Sequence, residues 1–520
     1  MVVVPGYAAA PGVKLPAQLP ITKLAPARLF PGQCLLHYPV STQSKVCQQL
    51  VDQALGYHYS YVWMEAARSF ETATLHDPNC AFAWWGLSRA LAQWGRGDAN
   101  SALKKAHELL SHANLREQKL ITAAMQERGL LPGVGDGEAR RRAARQTLDE
   151  LLALHPDDEE AWFYRGQIAA DNRLFGGTAA AVPYYKGLLH LNPLHPGANH
   201  ELVHFYENFG RPALGWEYSE NYIKSSPGIP HAWHMQSHLS TRLGRWTKAT
   251  AVSLKAIEVE RAYHRNQNVK PTDDHQFAHH LETLLRCLIH DGRFAEARAI
   301  RDECDQHGFK NQQLWFRLAL EERDFAAAAK IADELRRNDK LTAAYLTALI
   351  HLTQHDADAA QPHVDILEEA YRTRRADRTL RHRLWETRGL LLCQTGGGSA
   401  GLALLEKVVK DTMNDYGHHA WGGGAYYMET WGLAALGCGH WEIAELAFLE
   451  ALAHDKGSVR GALGLQHACE RLGRTSEAQR YAKMAEQFWR KADPAAFASV
   501  AQAIRALANS TGTATTAGLN

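Results

Sequence analysis

Turn residues recur along this chain at a fixed distance of thirty-four residues, from Pro193 to Pro227, from Gly210 to Gly244 and from Gly439 to Gly473. Between them the apolar residues fall at i, i+3, i+4 and i+7, the spacing of an amphipathic helix, and strand-like alternation is nearly absent. A period of that length holds two short helices and their turns. One such hairpin cannot bury its apolar face alone, so the chain must stack hairpin upon hairpin around a continuous core. A length of 520 residues, 46% of them hydrophobic, is enough to supply that core.

Composition narrows the function. A formal net charge of +1 argues against a phosphate-tracking surface, and the arginines at Arg140 to Arg142 and in "RTRRADRTLRHR" read as solvated helix faces, so no nucleic-acid partner is expected. No apolar run is long enough for a membrane span. The eight cysteines are scattered without a CxxC pair, which favours reduced, buried thiols. The start "MVVVPGYAAAPG" lacks a basic flank and a sustained apolar stretch, so a cytoplasmic protein is expected, with an exported form left open. Residues 1–45 carry many prolines and read as an extended arm, and 496–520 as a partly disordered tail. Gly422 to Gly424, after His418 and His419, read as a joint between repeats.

The fine pattern resembles the tetratricopeptide repeat. Ala66, Phe70, Ala73 and Pro78 match the second-helix signature, as do Ala444, Phe448 and Ala451, while Gly86, Gly166 and Gly432 match the small residue at which the two helices of a hairpin touch. The resemblance implies an all-α, right-handed superhelical α-solenoid with a concave inner wall. It divides the chain into repeats over 46–304, helices with a faded signature over 305–415, and further repeats over 416–495. "HPGANHELVH", "HAWHMQSHL" and "DPNCAFAWWGLSRAL" are further similar to a group of bacterial repeat proteins with motifs close to HPGANHYYIH and HMPSHI. Here Gln236 stands where that group has proline, and Glu201 and Leu202 where it has aromatics.

Histidine is the unusual residue, with 28 copies. Counted from Pro196 and from Pro230, His200 and His234 share the fifth place of successive first helices, and His204 and His238 share the ninth, while His231 takes a second place. The resemblance implies that these places face the groove. Two histidines four apart lie on one helix face with Cβ atoms about 5–6 Å apart, and packed helices at about 8–10 Å let a neighbour complete the set. Set back from Gly292, the next first helix offers His279, Glu282 and, at its ninth place, Arg286. Imidazoles in that number suit a transition metal, namely zinc, copper or non-haem iron.

Two functions follow. In the first, His200, His204, His231, His234 and His238, with His279 and Glu282, hold a metal ion. The chain is then a metal-dependent oxidoreductase or hydrolase acting on a small molecule, which the 261–275 insertion covers. In the second, the groove grips a peptide or protein partner without catalysis, and the rings form a polar seam bonded to carbonyls, Tyr206 or Glu207. His58, Glu207, His275, Arg286 and His467 are further candidates for the groove wall. Trp84, Trp85, Trp162, Trp216 and Trp246 read as packing.

Overall fold

A computed structural model describes residues 14–169, 178–418 and 423–510, so His419 and Gly422 of the glycine joint, the first thirteen residues and the last ten lie outside it. Among the described residues there are twenty-five α-helices and no strand. The all-α class therefore stands, and helices follow one another through 305–415 as well, from Gln312–Glu321 to Gly398–Thr412.

The repeat spacing has a backbone cause. Gly210, Gly244, Gly439 and Gly473 all close helices in the left-handed region, where a Cβ is costly. Helix starts are fixed as regularly: the side chains of Asp98, Asn114, Asp324, Asp339 and Ser458 each accept a first-turn backbone N–H. In three first helices a tryptophan indole donates back to the proline carbonyl six residues earlier: Trp84 to Pro78, Trp162 to Pro156 and Trp233 to Pro227, at 3.1, 2.8 and 2.9 Å. Asn199 takes the same place on the helix Pro196–Asn208 and donates to Pro193 at 3.0 Å.

Hairpins close on a glycine against an aromatic ring. A Cβ built on Gly86 would lie 2.3 Å from Phe70, one on Gly166 would lie 2.7 Å from Tyr185, and one on Gly432 would lie 2.6 Å from Phe448. The repeat signature thus reflects rings that fill the space a side chain would need.

The chain forms two compact units. The first comprises 1–239 and 254–277, the second 240–253 and 278–520, so the expected boundary near 304 falls inside the second. The first unit is organised around Tyr57, Tyr59, Phe70, Phe82, Trp85, Phe163 and Tyr185, with a smaller cluster of Val203, Tyr222, Ala232, Met235 and Leu239 between the histidine helices. The second has cores around Leu349, Val364 and Leu384 and a fully buried Phe448.

The arm, from residue 14 onward, has no helix before Lys45 but is tied down by side chains of the first hairpin. The backbone N–H groups of Thr22, Ala27 and Phe30 donate to Glu71, Thr72 and Gln53 at 2.8, 2.9 and 2.7 Å. The segment expected as tail opens with a helix, Pro494–Asn509. The 261–275 insertion is a helix in its first part, because Trp246–Gln267 runs unbroken for 22 residues.

Candidate metal centre

The fifth place of a first helix is a core place in this chain: Trp85 and Phe163 occupy it on earlier helices and are fully buried. His200 and His234 therefore put imidazoles where the fold puts aromatic rings. Five histidines of the first unit, His200, His204, His231, His234 and His238, are at most 9% exposed. They lie in the packed interior and not on an open wall. A buried imidazole must be hydrogen-bonded or coordinated to offset its desolvation.

The five rings close a circuit. Centroids step from His204 to His200, His231, His234, His238 and back to His204 at 4.8, 4.7, 5.5, 4.6 and 5.9 Å. Within it, ring nitrogens meet in pairs: His200 Nε2 lies 3.0 Å from His231 Nε2, and His234 Nε2 lies 2.8 Å from His238 Nε2. One nitrogen each of His200, His204 and His231 lies within 4.8 Å of the other two.

The outer nitrogens decide what the inner ones offer. His200 Nδ1–H donates to the Tyr59 carbonyl at 2.6 Å, and a carbonyl can only accept, so the neutral ring carries its lone pair on Nε2. His238 Nδ1–H donates to the Glu207 carboxylate at 2.9 Å, which fixes the orientation of the ring. Burial, with a smaller contribution from His238, holds His200 down at about 3, so its ring stays neutral at physiological pH.

Two imidazole nitrogens separated by 2.8 or 3.0 Å match cis ligands of one ion. At metal–nitrogen distances of about 2.0–2.1 Å, the spacing is about 2.9 Å for a right angle and about 3.4 Å for a tetrahedral one. The donor set fits a transition metal in chemistry as well as in spacing, being all imidazole with outer N–H groups anchored on a carbonyl and a carboxylate.

Tyrosines seal the circuit. Tyr61 holds a left-handed backbone, φ 59°, uncommon for a bulky residue. Its ring lies 4.4 Å from His200 and stacks on His204 at 5.8 Å, and its hydroxyl donates to Glu201 at 2.8 Å. Tyr222 stacks on the other side of His200 at 5.0 Å. Burial raises both phenols well above their usual range, so they remain neutral.

Glu207 joins the circuit as the acceptor of His238, whereas Tyr206 stacks on Tyr218 instead. His275 is exposed and stacks on Trp63 at 5.4 Å. His58 is buried beside Tyr59, and burial lowers its pKa well below the usual range. His279, Glu282 and Arg286 lie on the helix Phe277–His290, in the part assigned to the second unit. There Arg286 lines a cavity of about 210 Å³ with His290 and Arg317. His467, also in the second unit, pairs with Glu470 at 2.8 Å. Sequence reasoning did not find the Tyr59 carbonyl, which no side-chain pattern announces. It also passed over Tyr61 and Tyr222.

Comparison with known proteins bears on the fold. A family profile described as tetratricopeptide repeat matches residues 138–196. PilW, a widely conserved type IV pilus biogenesis factor, is 18% identical, over 44% of this chain and 94% of its own, with a TM-score of 0.33. A tetratricopeptide repeat protein from Parabacteroides merdae is 12% identical, over 52% and 99%, with a TM-score of 0.33. Human IFIT1, solved as a dimer with m7Gppp-AAAA, is 14% identical, over 86% and 90%, with a TM-score of 0.28. No curated protein matches the chain in sequence. The tetratricopeptide-repeat match thus covers residues 138–196, and no helix among the described residues is long and apolar enough to cross a membrane.

Proposed function

We propose that this repeat protein binds a transition-metal ion, zinc, copper or iron, on the imidazoles of His200, His204, His231, His234 and His238. The observation that carries this reading is the pairing of Nε2 atoms at 3.0 and 2.8 Å while the Nδ1 atoms of His200 and His238 are engaged elsewhere. Kinship with the bacterial group carrying HPGANH-like motifs belongs to the same proposal. A bound ion would supply Lewis acidity and, for copper or iron, electron transfer. The chain's own contribution is to keep the His200 ring neutral, to orient His238 through Glu207 and to exclude water with Tyr61 and Tyr222.

Metal analysis of protein purified without an affinity tag tests this, repeated on His204→Ala and His238→Ala. About one equivalent of a single transition metal in the wild type, lost in both variants, is the expected result. A wild type that carries none and takes up none on titration would leave the partner-binding scaffold as the reading.

A further inference from the structure

A second group of ligating side chains lies in the first unit, outside the imidazole circuit. Glu260 and His264 stand four residues apart on the helix Trp246–Gln267, hence on one face, and Asp274 follows the short turn Pro271–Asp273. One ligating atom from each lies within 4.8 Å of the other two, and all three side chains are buried. His264 Nε2 meets Asp274 Oδ2 at 2.9 Å.

The loop that brings Asp274 back is built for the purpose. Asn268 turns the chain through the left-handed region, φ 54°, and the Val269 N–H donates to the His264 carbonyl at 2.9 Å. Asp274 Oδ1 accepts the Gln276 N–H at 3.0 Å, and the Gln276 amide reaches the Ser60 carbonyl at 3.3 Å. Phe277 and Tyr263 wall the His264 ring at 4.9 and 5.1 Å.

Two carboxylates buried together need a cation or a shared proton between them. Arg68, the buried arginine of this region, is already committed to Glu65, which accepts from its Nε and Nη2 at 3.1 and 2.5 Å.

We infer that Glu260, His264 and Asp274 form a second metal site, holding one divalent cation through one imidazole and two carboxylates. An oxygen-rich set of this kind suits Mn²⁺ or Fe²⁺ better than the softer ions that an all-imidazole site takes. The inference stands apart from the proposed imidazole centre and does not depend on it.

The test uses the full chain, stripped by chelation and titrated with Mn²⁺, with free Mn²⁺ followed by electron paramagnetic resonance. Wild type and His204→Ala are expected to take up one equivalent alike. Glu260→Gln and Asp274→Asn, which keep the size of each side chain, are expected to bind it about 10–100-fold more weakly. Wild type that takes up no Mn²⁺, or uptake that His204→Ala abolishes and Glu260→Gln spares, would overturn the inference. Should either carboxylate variant not fold, pulsed resonance on loaded wild type decides. Coupling of the manganese to one imidazole nitrogen supports the site, and absence of nitrogen coupling overturns it.

Discussion

His238 shows how much of the proposed centre rests on a single oxygen. Glu207 accepts its Nδ1–H at 2.9 Å, which fixes the orientation of the ring. Glu207→Gln keeps an acceptor but removes the charge, and metal affinity in a chelator competition should fall about 10–100-fold with helix content unchanged. An unaltered affinity would mean that His238 is not a ligand. His195 makes a pH prediction. It caps the helix Pro196–Asn208 by accepting the Ala198 N–H on Nδ1, and burial depresses its pKa to about 3. The unfolded ring titrates near about 6.5, so below that pH the unfolded state binds the extra proton. The stability His195 contributes is full above about pH 6.5 and is lost progressively toward pH 3. Urea midpoints between pH 7.5 and 4.5 should fall with acid, and the slope should be smaller in His195→Asn, which caps without titrating. The histidine pairs were legible because a helix repeats its face every four residues. The role of Tyr59 was not, since a carbonyl contributes nothing to a side-chain pattern.

Between residue and molecule, the recurring device is a ring pressed onto a glycine. Phe448 lies between Gly432 and Gly464, and a Cβ on either would fall 2.6 or 2.3 Å from it. Gly432→Ala should therefore cost about 1–3 kcal/mol in urea unfolding through overpacking. Gly437→Ala, whose nearest neighbour would be Leu507 at 3.6 Å, serves as the control and should be close to neutral. A Gly432→Ala protein as stable as wild type would show that the hairpin can spread. Gly86, Gly166 and Gly432 were identifiable from sequence because spacing and residue type agree there. The Glu260, His264 and Asp274 group was not identified, although Glu260 and His264 carry the same four-residue signal as the histidine pairs. Their segment reads as an insertion, yet the helix Trp246–Gln267 continues through its first part, and Asp274 joins only when the loop folds back.

At the scale of the whole chain, each of the two units has its own core, and the five imidazoles of the proposed centre are residues of the first. An ion that binds the folded state alone stabilises only what it holds together. Stripping the metal should lower amide hydrogen-exchange protection over 196–208 and 230–239 while leaving 441–488 unchanged, as read by peptide mass spectrometry. Equal loss in both regions would contradict a centre held by the imidazoles of those two helices. The near-complete burial of the five imidazoles also governs timing. An ion sealed behind stacked tyrosines leaves only when helices part, so exchange would be slow and paced by local opening. Which metal the protein carries would then record what was available while the chain was folding, and a mismatched ion acquired at that moment would persist.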